Sequence, residues 1–131
     1  LQIIRDRDRE AVAVETDVDR LSQVFINLIA NAQKYCTATD PELRIHVRSS
    51  GDRVEVDLAD NGAGIPVDFH EMIFEKFSRV TPERAGGAGL GLAICKEIMR
   101  KLGGDISFLS EREGAAFRVT LPIRLKIEEI R

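Results

Sequence analysis

Residues 17–35 read DVDRLSQVFINLIANAQKY, and the fold turns on this stretch. Leu21, Val24, Phe25, Leu28, Ile29 and Ala32 recur at the spacing of one helical face, so the spacing predicts a long amphipathic helix from about Asp17 to Tyr35. Thr16 supplies an N-cap oxygen and Asp19 an acid three residues later, which starts the helix. Pro41 lies just beyond its end and helps block continuation. A helix with a single apolar stripe must bury that stripe against another element.

The chain downstream supplies one. Leu43, Ile45 and Val47 alternate with Arg44, His46 and Arg48; Val54, Val56 and Leu58 alternate with Glu55, Asp57 and Ala59. Ser50-Gly51-Asp52-Arg53 between them is a turn, so the pair predicts a hairpin with one apolar face. A second helix is expected from about Gly89 to Leu102, with Ile94, Cys95, Ile98 and Leu102 inward and Gly103-Gly104 as its stop. Strands are expected at Asp105 to Leu109 and Ala116 to Leu121, with a turn at Glu111 to Gly114. Upstream, Ala11 to Val14 reads as a short strand and Gln2 to Ile4 as an edge strand. Between the hairpin and the second helix the chain is loop-like, interrupted by a short helical stretch at about Phe69 to Phe77. The expected class is α/β: a two-layer α/β sandwich, its mixed, mostly antiparallel sheet of about five strands covered on one face by about three helices.

Length and composition fit one domain. The chain has 131 residues, 44% hydrophobic and 31% charged, with a net charge of −3. That charge offers no broad basic field for nucleic acid or an anionic membrane. No apolar run approaches the roughly 20 residues that span a bilayer. The two cysteines, Cys36 and Cys95, form no CxxC pair and read as reduced thiols. Neither His46 nor His70 lies at ligand spacing to them, so no metal site is built on these residues. His70 reads as a surface residue, and His46 faces away from the apolar row of its strand. Because the first residue is Leu1, the chain is expected to be a piece of a longer protein: one domain, 1–131, with its core at 14–122.

Four groups of residues invite chemistry. The long helix has a second stripe, Gln23, Asn27, Asn31 and Lys34, on one face. A solvated surface would explain such a stripe, but Asn is a poor interior helix residue. An amide oxygen is a neutral hard ligand suited to Mg²⁺, and Lys34 can meet a phosphate as a point charge. Asp60 is next: strand parity sets it in one row with Val54, Val56 and Leu58, so a carboxylate ends an apolar row. Asp-Asn-Gly is a common turn, but a carboxylate on the core side needs donors, and it can accept from an exocyclic amine such as that of adenine. Gly62 and Gly64 then let the backbone turn and a flat ligand approach. Third, residues 86–92 read GGAGLGL; a Gly-rich loop opening a helix can cradle an anion, although no strand precedes it as a dinucleotide fingerprint requires, and no P-loop motif is present. Fourth, Phe74-Glu75-Lys76-Phe77-Ser78-Arg79 opens a polar segment, Ser78 to Gly87, that reads as a lid; Arg79 suits the spread charge of a phosphoryl group.

In this order the four groups resemble the catalytic ATP-binding domain of sensor histidine kinases, in the superfamily that includes gyrase, the Hsp90 chaperones and MutL. Arg20 to Ala32 looks like that family's N box, Asp60 to Pro66 like its G1 box, Ile73 to Phe77 like its F box and Gly87 to Ile94 like its G2 box. The resemblance covers roughly Val14 to Pro122. It implies that Asn31 ligates Mg²⁺ with Asn27 beside it, that Lys34 reaches the phosphates and that Tyr35 packs near adenine. It further implies that Asp60 accepts from the adenine amine in a pocket shaped by Gly62, Gly64 and Ile65. Phe74 and Phe77 would anchor the lid, Gly87, Gly89, Leu90, Gly91 and Leu92 would wrap the phosphates, and Arg79 would assist transfer.

The implied activity is transfer of the γ-phosphoryl group of ATP, with Mg²⁺, to a histidine on a separate dimerisation domain of the same protein, and through it to a response regulator. The implied location is the cytoplasm; the fragment itself is expected to be monomeric, its parent dimeric and open to a membrane anchor. His70-Glu71 resembles the acceptor's His-Glu pair only superficially, since it follows the G1 box and lacks the expected proline. Three rival readings share this pocket: an ATP hydrolase, a serine kinase that inhibits a sigma factor and a nucleotide sensor without transfer. The hydrolases place a glutamate one turn before the Mg²⁺-binding asparagine; this chain has Asn27 there, and an amide is a poor general base.

Overall fold

The computed structural model describes residues 1–5, 14–75, 91–110 and 114–124. Its elements in chain order are β1 (Gln2–Arg5), α1 (Val18–Tyr35), β2 (Glu42–Ser50), β3 (Arg53–Asp60), a 3-10 turn (Val67–Phe69), α2 (Gly91–Lys101), β4 (Asp105–Phe108) and β5 (Ala116–Pro122). The strands form one five-stranded sheet in the order β1-β2-β3-β5-β4. Only β1 and β2 run parallel; the other pairs are antiparallel. This is the expected mixed, mostly antiparallel sheet with helices on one face.

The hairpin forms as its alternation predicts. Ser50 pairs with Arg53, and Gly51 between them takes φ 61°, which glycine adopts without steric cost. The register then sets Val54, Val56 and Leu58 against Leu121, Val119 and Phe117, and all six are buried. α1 lays Val24, Leu28 and Ala32 on this face, and α2 adds Ala93, Cys95, Ile98 and Met99. Fully burying a side chain of this size contributes about 1.5–3 kcal/mol, so the two helices are held by their stripes rather than by propensity.

On the other face, charge pairing replaces apolar cover. Arg118 grips Asp57 with two hydrogen bonds of 2.8 and 2.9 Å, and Arg48 meets Glu55 at 2.7 Å. Asp57 is 4% exposed, and a carboxylate so deep requires such partners.

The helix ends depart in part from expectation. The N-cap of α1 is Asp17, whose carboxylate accepts from the Arg20 N–H at 3.2 Å, and not Thr16, whose hydroxyl oxygen is buried without a partner. Asp17 holds the extended backbone of the cap position, from which its carboxylate reaches the N3 amide. α2 begins at Gly91, and its end matches the Gly103-Gly104 stop: Gly103 has φ 81°, and Gly104 N–H returns to the Met99 carbonyl at 2.9 Å. The region after residue 66 forms a single 3-10 turn followed by non-helical turns up to residue 75, because Pro66 sets the entry and the i→i+3 bonds Phe69–Pro66, His70–Val67 and Met72–Phe69 recur without an α-helical ladder. Val14 is not in a strand, and Glu15 makes only an isolated bridge to Arg124. Residues 11–13 of that expected strand lie outside the described residues.

Candidate functional site

Two contacts bring the expected residues to one end of the molecule. Midway along α1, the Asn27 amide donates to the Cys95 sulfur at 3.7 Å, so that turn of α1 abuts the start of α2. At the far end of α1, the Cys36 thiol donates to the Asn61 side-chain oxygen at 3.3 Å, so the helix terminus abuts the end of β3. Asn31 and Lys34 lie between these two contacts on the same helix. Asn31 is half-buried and Lys34 is exposed. Tyr35 closes the last turn of α1. Gly91 and Leu92 open α2 on the other side.

Asp60 is the centre of the arrangement. The register pairs it with buried Leu43, as strand parity requires. Its Oδ1 accepts from the Gly62 N–H at 2.9 Å and from the Ala115 N–H at 3.0 Å. The backbone is tied in the same place, since Asp60 N–H donates to the Ala115 carbonyl at 2.9 Å. Two amides therefore fix the plane of the carboxylate through one oxygen and leave Oδ2 to accept from a ligand. A Cβ on Gly62 would lie 3.2 Å from the Cys36 sulfur and 3.3 Å from Asp60 Oδ1, so a small residue is wanted there for space. Gly64 differs: its φ of 80° is the reason for glycine. Ile65 is partly buried against the core.

Asn61, Gly114, His70 and Lys96 belong to this end and were not assigned to it from the sequence. Asn61 Oδ1 also accepts from the Glu42 N–H at 2.9 Å, and its Nδ2 donates to the Asp40 carbonyl at 2.9 Å, so one side chain ties down the loop between α1 and β2. Gly114, read as part of a turn, is buried with its Cα directly against Asp60: a Cβ there would stand 2.0 Å from the Asp60 carbonyl oxygen. The run Gly114-Ala115-Ala116 at a strand start was the available signal for close backbone approach. His70, read as a surface residue, is half-buried; its Nε2 lies 2.6 Å from the Ile65 carbonyl and its ring meets Phe108 edge-on at 4.6 Å. His46 faces away from the apolar row as expected, half-buried opposite Asp57 on the helix-free face.

Phe74 packs edge-on to Phe117, with the Lys96 ammonium 5.1 Å from its ring centroid. Lys96 also meets Asp105 at 2.8 Å and the Ile106 carbonyl at 3.0 Å. Partial burial pushes the Asp105 carboxyl up, but the hydrogen bonds from Lys96 and the Ile106 N–H and the nearby positive charge hold it below its ordinary 3.8. Burial pushes the Cys95 thiol above its ordinary 9.0. Phe77, Arg79, Gly87, Gly89 and Leu90 lie outside the described residues.

Among the described residues no cluster of three or more His, Cys, Asp or Glu could hold a metal ion. A cation here would need the neutral Asn31 oxygen together with oxygens from a ligand, a donor set that suits Mg²⁺. A cavity of about 330 Å³ lies at the opposite end of the helix pair, lined by Asp17, Arg20, Glu97 and Lys101 over Ile94, Ile98 and Leu102, and contains none of these site residues. Among the described residues no helix is long and apolar enough to cross a membrane.

Comparison with known proteins agrees with this arrangement. Residues 16–125 match the family model described as histidine kinase-, DNA gyrase B- and HSP90-like ATPase. The sensor protein kinase WalK of Staphylococcus aureus is 40% identical over 125 residues, 91% of this chain. The chain spans 30% of the length of that relative and 20% of a longer WalK from the same species. Among solved structures, the nucleotide-free catalytic domain of histidine kinase ThkA aligns with TM-score 0.77 at 32% identity, covering 93% of this chain and 78% of that one. ThkA in complex with the response regulator protein TrrA aligns with TM-score 0.75 at 29% identity, covering 92% of this chain and 34% of that one. The chain belongs to the histidine kinase-, DNA gyrase B- and HSP90-like ATPase family, and within it to the catalytic domains of sensor histidine kinases.

Proposed function

We propose that this chain binds MgATP and presents the γ-phosphoryl group to a histidine carried on a separate helical dimerisation domain of its parent protein, from which a response regulator receives it. The observation that carries the reading is the Asp60 carboxylate, oriented by the Gly62 and Ala115 amides so that one oxygen remains to accept from the adenine amine. Asn31 would hold Mg²⁺, which neutralises phosphate charge when bound, and Lys34 would meet the phosphates. Among the described residues nothing lies within 4 Å of a Cβ built at Gly91, which leaves that turn of α2 open to a phosphate. Tyr35, Gly62, Gly64, Ile65 and Leu92 complete the base end and the α2 end of this pocket, and Phe77, Arg79, Gly87, Gly89 and Leu90 take the roles that the family resemblance implies.

The imidazole acceptor is itself a nucleophile. It attacks the γ-phosphorus, the bond to the bridging oxygen breaks and ADP leaves with that electron pair. The chain supplies alignment and charge stabilisation and needs no general base of its own. Asn27 fits this division, because its amide cannot activate water, and its donation to Cys95 commits it to the α1–α2 contact. That ThkA has been solved with a response regulator supports the same place in signalling for this chain. On this reading residues 1–131 form one catalytic domain with its core at 14–122, acting in the cytoplasm.

The test is a calorimetric titration with ATP and GTP, each with and without Mg²⁺, alongside Asp60→Asn. Saturable preference for ATP is expected, with the variant weaker by about 1.5–3 kcal/mol, the scale for a hydrogen bond to a charged group. Equal binding of ATP and GTP, or an Asp60→Asn chain that binds ATP like the wild type, would remove the adenine pocket from this place.

A further inference from the structure

His70 has no role in the reading above, yet its surroundings are those of a built contact. Its Nε2 stands 2.6 Å from the Ile65 carbonyl oxygen. That oxygen can only accept, so Nε2 must carry the proton. The ring cannot swing away freely: Phe108 meets it at 4.6 Å, and Phe108 is itself packed against Phe117 at 5.5 Å. Behind the ring, the 3-10 turn is closed by the His70 N–H to the Val67 carbonyl at 3.1 Å.

Beyond the packing of Ile65 against the core, the loop it holds has few polar ties. Among the described residues, 63–65 enter no other hydrogen bond. Gly64, at φ 80°, gives that loop a residue of wide conformational freedom. One end of the loop is Gly62, tied to Asp60 Oδ1; the other is Ile65, tied to His70.

We propose that His70 is a positioning residue for nucleotide binding: by donating from Nε2 to the Ile65 carbonyl it fixes the loop 62–65 that walls the base end of the pocket. The inference rests on the adenine reading of Asp60 and assigns the opposite anchor of the same loop. It also gives His70 a purpose other than phosphoryl acceptance, through Nε2.

Two measurements on the intact chain test it. In ¹⁵N correlation spectra of the nucleotide-free protein, Nε2 of His70 should be the protonated ring nitrogen; a bare Nε2 overturns the contact without recourse to any variant. In calorimetry, His70→Leu should weaken ATP and ADP binding equally, by about 3- to 10-fold, and by the same factor with and without Mg²⁺, because the change is at the base end. His70→Gln offers an amide donor of comparable reach and should recover most of the loss, which a purely volume-filling role would not show. A wild-type chain that binds ATP alongside an indifferent His70→Leu, or a His70→Gln no better than His70→Leu, overturns the positioning role alone. A wild-type chain that binds no ATP overturns the adenine reading, and this role with it.

Discussion

Replacing Gly114 by alanine should damage the fold and the site together, through a single methyl group. The added Cβ would stand 2.0 Å from the Asp60 carbonyl oxygen, 2.6 Å from Asp60 Oδ1 and 2.7 Å from its carbonyl carbon. Two of these obstacles are backbone atoms, so no rotamer change relieves them. Ordinary contact begins at 3.4 Å, so relief requires a shift of about 1.4 Å. Movement on that scale breaks the Ala115 N–H bond to Oδ1, now 3.0 Å, and the Asp60 N–H bond to the Ala115 carbonyl, now 2.9 Å. The first is a bond to a charged acceptor and the second is neutral, which together correspond to about 2–4 kcal/mol. Urea titration followed by circular dichroism reads this directly, and the melting temperature should fall by roughly 10 °C. Gly62→Ala is the internal comparison: its Cβ meets the Cys36 sulfur at 3.2 Å, Asp60 Oδ1 at 3.3 Å and the Cys36 Cα at 3.4 Å, so shifts of a few tenths of an ångström suffice and its cost should be smaller than that of Gly114→Ala. A Gly114→Ala chain within about 0.5 kcal/mol of the wild type, or one more stable than Gly62→Ala, would refute the close-approach reasoning.

Further expectations concern single groups. Asn31→Ala should leave the urea midpoint nearly unchanged but weaken Mg²⁺-dependent ATP binding roughly tenfold, ~1.4 kcal/mol, by removing the amide oxygen that would hold the cation; equal loss without Mg²⁺ would argue against the metal role. Thiol titration of the native chain should count one reactive cysteine, and two in denaturant, because Cys95 is 0% exposed and burial keeps it protonated while Cys36 is only half-buried. ATP should slow the labelling of Cys36, which borders Gly62. The depressed Asp105 carboxyl contributes stability above its unfolded value of about 4 and loses it as acid takes the pH through the lower folded value. Lys96→Met should therefore be less stable than the wild type at pH 6, with the gap narrowing toward pH 2 in urea titrations; a gap that does not change with pH would assign the loss to packing against Phe74.

Local periodicity made much of this molecule legible. The stripe Val24, Leu28 and Ala32 marks α1, the alternation of residues 43–58 marks the β2–β3 hairpin, and Gly103-Gly104 marks the end of α2. Strand parity alone sets Asp60 at the end of an apolar row. Contacts between distant segments were not legible. Nothing near Gly114 states that Asp60, 54 positions earlier, will lie against its Cα. His70 reads as polar and exposed until Phe108 and the Ile65 carbonyl are brought to it. Thr16 and Asp17 are both good caps, and only the geometry of the first turn decides between them. Met99, fully buried, escaped the inward face expected of α2 because neighbouring Ile98 already satisfied the pattern.

The doubly engaged Oδ1 of Asp60 couples the binding site to the fraying of the sheet. The amides of Gly62 and Ala115, just outside the ends of β3 and β5, must part from Oδ1 to exchange with solvent, and that opening also releases the carboxylate that the adenine would need. A ligand that binds only the closed form then slows exchange at these two amides by the factor 1 + [L]/Kd, while amides that exchange through unrelated openings keep their rates. Their protection would thus report nucleotide affinity from behind the carboxylate, at amides bonded to the oxygen that faces away from the nucleotide.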